Sequence, residues 1–387
     1  MEESFRLGNV AGIRVGVNWS LLVVFWLISL GLADGRFPEE APGSEPSLYW
    51  AAALTTAALF YAALLAHELS HALVARQAGV GVEGITLWLF GGMTKMRAEA
   101  HTPQVELRVA VAGPLVSLAV AGVMATLALV ADAAGASSLV VAMASWLARI
   151  NLILAAFNLV PAAPLDGGRV LRSILWRRHG DQLRATVTAA RAGRLFGYLL
   201  VAAGLLEFAA GAGIGGLWFL FLGWFLIMAA RAEETAATLR GALGGVTVGD
   251  VMTPDPVVAP GWLTLDAFLE EYVLRHRFSA FPIESFDGRL DGLVTLQRLK
   301  QVPGQERAKV RAHDVAWRIE EVPSARPDEP LVALLRRMGG SSEGRALVLE
   351  GERLVGIVTP TDVARAVEVA TLGGRAGSNA AEADRSG

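Results

Sequence analysis

The chain has 387 residues, 53% of them hydrophobic, with 42 Gly, no Cys and 34 basic against 37 acidic side chains. Its mean hydropathy of +0.45 is too apolar for an ordinary soluble protein, in which about a quarter of the residues are charged. The balance excludes a disordered chain, a disulfide scaffold and a protein drawn to nucleic acid by net positive charge. The average hides two compositions: residues 1–245 carry 17 basic and 16 acidic side chains, whereas the 142 residues from 246 onward carry 17 and 21. A membrane part is therefore expected to precede a soluble part.

A helix needs about 20 consecutive apolar residues to cross a bilayer. Six candidates occur before residue 231: Val15–Ala33, Leu48–Ala66 continuing into the next polar stretch, Val109–Ala131, Leu139–Leu159, Leu195–Ala212 and Ile214–Ala230. Their apolar residues run continuously and do not alternate, which predicts helices and not barrel strands. No small-residue cleavage site follows the first, and Asp34-Gly35-Arg36-Phe37-Pro38 reads as a loop, so this segment is a retained span and not a signal peptide. Basic residues concentrate in alternate loops. Arg6 and Arg14 precede span one, Arg76, Lys95, Arg97 and Arg108 follow span two, Arg169 to Arg191 follow span four, and Arg231 and Arg240 follow span six. The positive-inside rule then puts both termini in the cytoplasm of a multi-pass cell-membrane protein.

Span two runs into Ala66-His67-Glu68-Leu69-Ser70-His71, an H-E-x-x-H pattern in a helical setting. Residues i and i+4 share a helix face, so both imidazoles can bind one ion, with Glu68 beside them to take a proton from water at the metal. The bland alternative is a helix end whose polar residues meet the interface. A catalytic zinc needs a third protein ligand. Of the four Asp in the membrane part, Asp34 and Asp132 fall on the wrong side and Asp181 lies deep in a basic loop. That leaves Asp166, where span four emerges. Asp166 could instead cap a helix over Arg169–Trp176, and His101 is a weaker alternative ligand. Arg149 and Glu207 are charges inside spans, expected to pair or snorkel, since neither lies at the depth of the motif. Asn151 shares a helix face with Asn158, and its role stays open.

His67-Glu68-Leu69-Ser70-His71 at the end of one span, with Asn158 and Pro164-Leu165-Asp166-Gly167 at the end of a later one, resembles the site-2 intramembrane metalloproteases. Phe90-Gly91-Gly92 and Ala112-Gly113-Pro114 extend the resemblance, which covers roughly residues 1–230. It implies one zinc held by His67, His71 and Asp166, with Glu68 as general base and Asn158 positioning or stabilising the reacting carbonyl. Val82–Met96 would be a membrane-associated strand region able to pair with an unwound substrate, and no PDZ domain separates spans two and three. The Ile85–Phe90 run carries strand-forming residues, so it offers either a sheet edge for substrate or an apolar hairpin that only packs.

In the soluble half an internal repeat has an offset of 64: Asp250-Val251 aligns with Asp314-Val315, and Arg289–Thr295 with Arg353–Thr359. Each copy reads strand, helix, strand, strand, helix, which predicts a duplicated α/β unit packed as a pair. The pattern is similar to tandem CBS domains, with repeats over 246–305 and 310–370 behind a membrane domain of 1–240. That resemblance implies an adenine nucleotide bound through Gly-x-x-Thr-x-x-Asp, kept here as Gly356 to Asp362. Thr359 would face phosphate and Asp362 would hold ribose. The first copy has Arg298 where that Asp is expected, so at most one nucleotide site is allowed; a pair serving only dimerisation or docking is the alternative. Residues 371–387 are small and polar and are expected to be disordered.

The reading that follows is a polytopic membrane protein of six transmembrane helices with a cytoplasmic α/β CBS pair, acting as a zinc endopeptidase on single-span membrane proteins. Anti-sigma factors and signal-peptide remnants are the substrates the resemblance implies, with regulation and homodimerisation through the pair. The alternative is a CBS-gated transporter or channel.

Overall fold

The computed structural model describes residues 4–89, 91–96, 100–211, 214–338 and 342–370. Phe90 and the tail 371–387 lie outside the described residues. The chain forms two compact units, Met1–Ala237 and Thr238–Gly387.

The first unit opens with a hairpin, β1 (Phe5–Val10) and β2 (Ile13–Val17), and enters helix α1 (Ser20–Glu40). Val15 to Val17, expected as the start of span one, are strand. Ile13, Val15 and Val17 alternate inward at the two-residue period of a sheet and are buried. Asp34 to Pro38, expected as a loop, continue the helix through a π turn over Gly31–Arg36 and an α turn over Phe37–Glu40, with Phe37 fully buried. Helix α2 (Pro46–Gln77) follows. At 1.5 Å per residue its 32 residues reach about 48 Å, more than a bilayer's hydrocarbon core of about 30 Å. Span two continues past Ala66 into the polar stretch, as its sequence leads one to expect, and the H-E-x-x-H motif lies inside the helix. Strands β3 (Val82–Trp88) and β4 (Gly91–Met96) then complete a sheet of order β1-β2-β3-β4, in which β2 and β3 run parallel. Ile85 to Trp88 thus belong to an inner strand paired on both sides, and the free edge next to them is β4.

Helices α3 (Pro103–Ala133) and α4 (Ser138–Asn158) pack as a pair, a short helix α5 (Asp166–His179) follows, and α6 (Gln182–Ala209) and α7 (Ile214–Leu243) close the unit. Helix α6 begins well before the expected Leu195, so Arg184 and Arg191 sit on it and not in a loop. Asp181 caps it, its Oδ1 accepting from the Arg184 N–H at 2.9 Å. Apart from α5, these are six helices long and apolar enough to cross a membrane. Their outward faces leave large apolar side chains uncovered, such as Leu129 and Leu206, each 72% exposed, a surface suited to lipid and costly in water. Helices α6 and α7 approach through glycine: a Cβ on Gly197 or Gly204 would strike the opposite backbone.

The second unit is built from two similar halves. In one, β6 (Ala259–Pro260), β7 (Ala280–Glu284) and β8 (Leu290–Thr295) form a sheet with β9 (Trp317–Arg318). In the other, β10 (Ser324–Ala325), β11 (Ala346–Glu350) and β12 (Arg353–Val358) are joined by β5 (Thr253–Pro254). The halves therefore exchange their leading strands, and Ala280, Leu293, Leu347 and Ile357 close a shared core between the sheets. The strand-helix-strand-strand order matches the sequence expectation. The exchange leaves no trace in the repeat pattern, because β5 and β9 are two residues each.

Candidate metal centre and nucleotide cleft

On α2 the spacing of four residues brings His67 and His71 to one face, 2% and 4% exposed. Asp166 is the first residue of α5, and the turn from Leu159 to Leu165 aims it back at α2. Asp166 Oδ2 stands 3.2 Å from Nε2 of each histidine, and the two Nε2 atoms are themselves 3.2 Å apart. Two ligands on one tetrahedral ion, at bond lengths of about 2.0–2.1 Å, are separated by about 3.3–3.4 Å. Three donors at the corners of such a triangle fit zinc.

The remaining ring nitrogens fix that arrangement. His71 Nδ1 donates to the Val109 carbonyl at 2.6 Å, and His67 Nδ1 is hydrogen-bonded with Ser117 Oγ at 2.9 Å, both partners on α3. With the proton on Nδ1, each ring presents the lone pair of Nε2 to the shared point. Gly113, on the same helix, makes room: a Cβ there would overlap both Nε2 atoms. The N-cap alternative for Asp166 does not hold, because Leu165 occupies that position and the carboxylate faces the imidazoles. His101 is exposed and stands outside the only His/acid cluster found among the described residues.

Glu68 projects beside the triangle against β4. Its Oε2 accepts from Thr94 Oγ1 at 2.9 Å, and its Cγ and Oε1 lie where a Cβ on Gly92 would fall. The three donors, Glu68 and Asn158 line one cavity of about 460 Å³. Its other walls are largely apolar, including Trp88, Leu154, Phe157, Phe225 and Leu226, so a chain entering it leaves bulk water.

Behind Asp166, α5 carries Arg169 and Arg172 toward Glu106 on α3, whose carboxylate is fully buried. Arg172 Nε donates to Glu106 Oε1 at 2.6 Å, and the other guanidinium arm lies 3.8 Å from Glu233 on α7. Sequence reasoning missed Glu106, Thr94 and Ser117. Each belongs to no motif, and only chain tracing brings it to the site. Arg149 pairs with Glu40 at 3.0 Å, and Glu40 with Arg36 at 2.8 Å, as expected of a structural charge. Asn151 is buried with its amide on the Leu147 carbonyl at 2.8 Å, so it serves its own helix and does not line the cavity beside Asn158.

In the second unit, Asp362 Oδ2 accepts from the Thr359 N–H at 2.8 Å and its hydroxyl at 2.6 Å, while Oδ1 accepts from Thr253 at 3.1 Å. The equivalent place in the first copy carries different contacts. Arg298 stacks over Trp317, the repeat partner of Thr253, at 3.9 Å from the ring centroid, and Thr295 donates to Glu343 at 2.9 Å.

The model of peptidase family M50 matches residues 55–133 and 128–201, and that of the CBS domain matches 248–303 and 313–369. The chain is 47% identical over 373 residues to a protein of Mycobacterium tuberculosis named zinc metalloprotease Rip3, a match spanning 96% of this chain and 95% of that one. It is 31% identical over 373 residues to a Synechocystis protein named zinc metalloprotease sll0528, with 95% and 96% covered. Among solved structures, a site-2 protease from Methanocaldococcus jannaschii matches with 27% identity and a TM-score of 0.43, over 59% of this chain and 94% of that one.

Proposed function

The chain belongs to peptidase family M50, the site-2 proteases, as a multi-pass zinc metalloprotease with a tandem CBS pair, and from that premise we propose that it cuts single-span membrane proteins through a centre formed by His67, His71, Asp166, Glu68 and Asn158. The observation that carries this reading is the triangle of three donor atoms 3.2 Å apart, opening with Glu68 into one largely apolar cavity.

His67, His71 and Asp166 would hold the zinc, which would supply Lewis acidity at the site. Glu68 takes a proton from the attacking water and returns it to the amide nitrogen as the C–N bond breaks, serving as base and then acid. Asn158 hydrogen-bonds the carbonyl oxygen as negative charge grows on it. A transmembrane helix hides its carbonyls in its own hydrogen bonds, so the substrate must unwind before it reacts. The free edge of β4 faces that need, since an extended segment added there has its backbone partners supplied. Gly91, Gly92, Met93 and Thr94 of β4 line the cavity.

Both termini lie in the cytoplasm of a cell-membrane protein, by the charge bias of the loops. Water then reaches the centre from that side, and substrates of the kind of anti-sigma factors or signal-peptide remnants are cut near that face. The pair of repeats regulates the protease and provides a dimer contact. It takes one adenine nucleotide, at the cleft of Thr359 and Asp362, because Arg298 and Trp317 fill the other with their own stack and Glu343 sets a carboxylate where phosphate would approach.

The test is Glu68→Gln, assayed for cleavage of a model single-span substrate in vesicles. Cleavage is expected to fall by at least about a hundredfold while zinc stays near one per chain. A variant that cuts at the wild-type rate would remove Glu68 from the reaction.

A further inference from the structure

Glu68 meets β4 at two residues. Gly92 leaves the space its Cγ and Oε1 occupy, and Thr94 Oγ1 donates to Oε2 at 2.9 Å. The same hydroxyl lies 3.4 Å from the Glu68 backbone carbonyl, a longer contact to an oxygen already within a helix. A hydroxyl has one proton, so the shorter contact takes it and the carboxylate is fixed. A glutamate has three rotatable side-chain bonds, and in a cavity of about 460 Å³ it would otherwise sample orientations in which neither oxygen meets the water. β4 is also an edge strand, paired only with β3 among the described strands.

We propose that Thr94 is a positioning residue. Its hydroxyl holds the Glu68 carboxylate through Oε2 and leaves Oε1 for the proton of water, and this ties the base to the strand on which an extended substrate docks. The assignment rests on Glu68 being the base. It explains why the base is braced by a sheet edge instead of its own helix: movement of β4 as substrate adds to it moves the base with it, so register and proton transfer are set together. Thr94 itself touches no reacting atom and changes the reaction only through Glu68.

The test compares Thr94→Val, which keeps the shape and removes the donor, with Thr94→Ser, which keeps the donor and removes the methyl group. Both are assayed in the full chain, in vesicles, with the same single-span substrate and with bound zinc measured. Thr94→Val is expected to lower kcat by about ten- to a hundredfold with KM within about twofold and zinc unchanged, and Thr94→Ser to return kcat to within about threefold of wild type. A Thr94→Val protein with wild-type kcat overturns the assignment. Equal losses in both variants, or a rise in KM alone, also overturn it, because they assign the residue to packing or to the docking edge. Glu68→Gln run alongside separates the two levels. If it stays active, the base assignment fails and Thr94 falls with it; if it is dead while Thr94→Val is normal, only the role of Thr94 is lost.

Discussion

A Cβ built on Gly113 would overlap Nε2 of both His67 and His71, the two atoms that complete the triangle with Asp166. The helix α3 needs no flexibility at this position, so glycine is there for the missing side chain and not for a backbone angle. Gly92 does the same for Glu68 from the opposite side. Gly113→Ala is therefore expected to lower bound zinc to about a tenth of wild type or less, in line with the cost of disturbing groups that orient metal ligands. Elemental analysis of purified protein checks it; one zinc per chain in the variant would mean that the imidazoles can retreat without loss.

The three proposed metal donors come from two helices of different character. Helix α2 is apolar on nearly all sides and is held by its neighbours. Helix α5 has 14 residues, four of them arginine, so it depends on where those charges go. Arg172 inserts between Glu106 of α3 and Glu233 of α7, and Glu106 is fully buried with its Oε2 lacking a partner among the described residues. A buried charge whose partner is removed costs about 3–5 kcal/mol, more than the pair contributes over an apolar replacement. Glu106→Gln should lower the midpoint of thermal unfolding in mild detergent and speed zinc loss to a chelator, because Asp166 stands two turns along from Arg172. An unchanged unfolding midpoint with unchanged zinc release would show that α5 is held by the Pro161–Leu165 turn alone.

Across the whole molecule, one half carries the hydrolytic chemistry and the other two repeats whose equivalent positions hold Asp362 in one and Arg298 in the other. At the second cleft an acid and two threonine hydroxyls are already joined by hydrogen bonds of 2.6 to 3.1 Å. At the first, a cation is spent on an indole ring. Titration of the full chain with AMP in a calorimeter is expected to give one site per chain, abolished by Asp362→Ala and kept by Arg298→Ala. Two sites in the wild type would show that the Arg298–Trp317 stack does not keep a nucleotide from the first copy.

The sequence by itself determined the division into an apolar and a charged half, the six crossings, the two-copy repeat and the residues His67, Glu68, His71 and Asp166 as candidates. All but Asp166 follow from periods and short spacings, in which each residue's neighbours along the chain are its neighbours in space: i and i+4 meet on a helix with no help from the rest of the fold; Asp166 came from the sidedness of the loops and the family resemblance. The boundaries of span one were not legible, because Ile13, Val15 and Val17 are as apolar as a span and only pairing with β1 and β3 makes them strand. Which strand within Val82–Met96 has a free edge was not legible for the same reason. Ile85 to Trp88 are strand-forming, but which strand lies outermost depends on a partner more than 60 residues away, β2 on β3. Thr94, Ser117, Glu106 and the exchanged strands β5 and β9 belong to tertiary structure alone. Their roles arise from contacts across 26 to 66 residues, or between repeats, where no local pattern constrains the residue type.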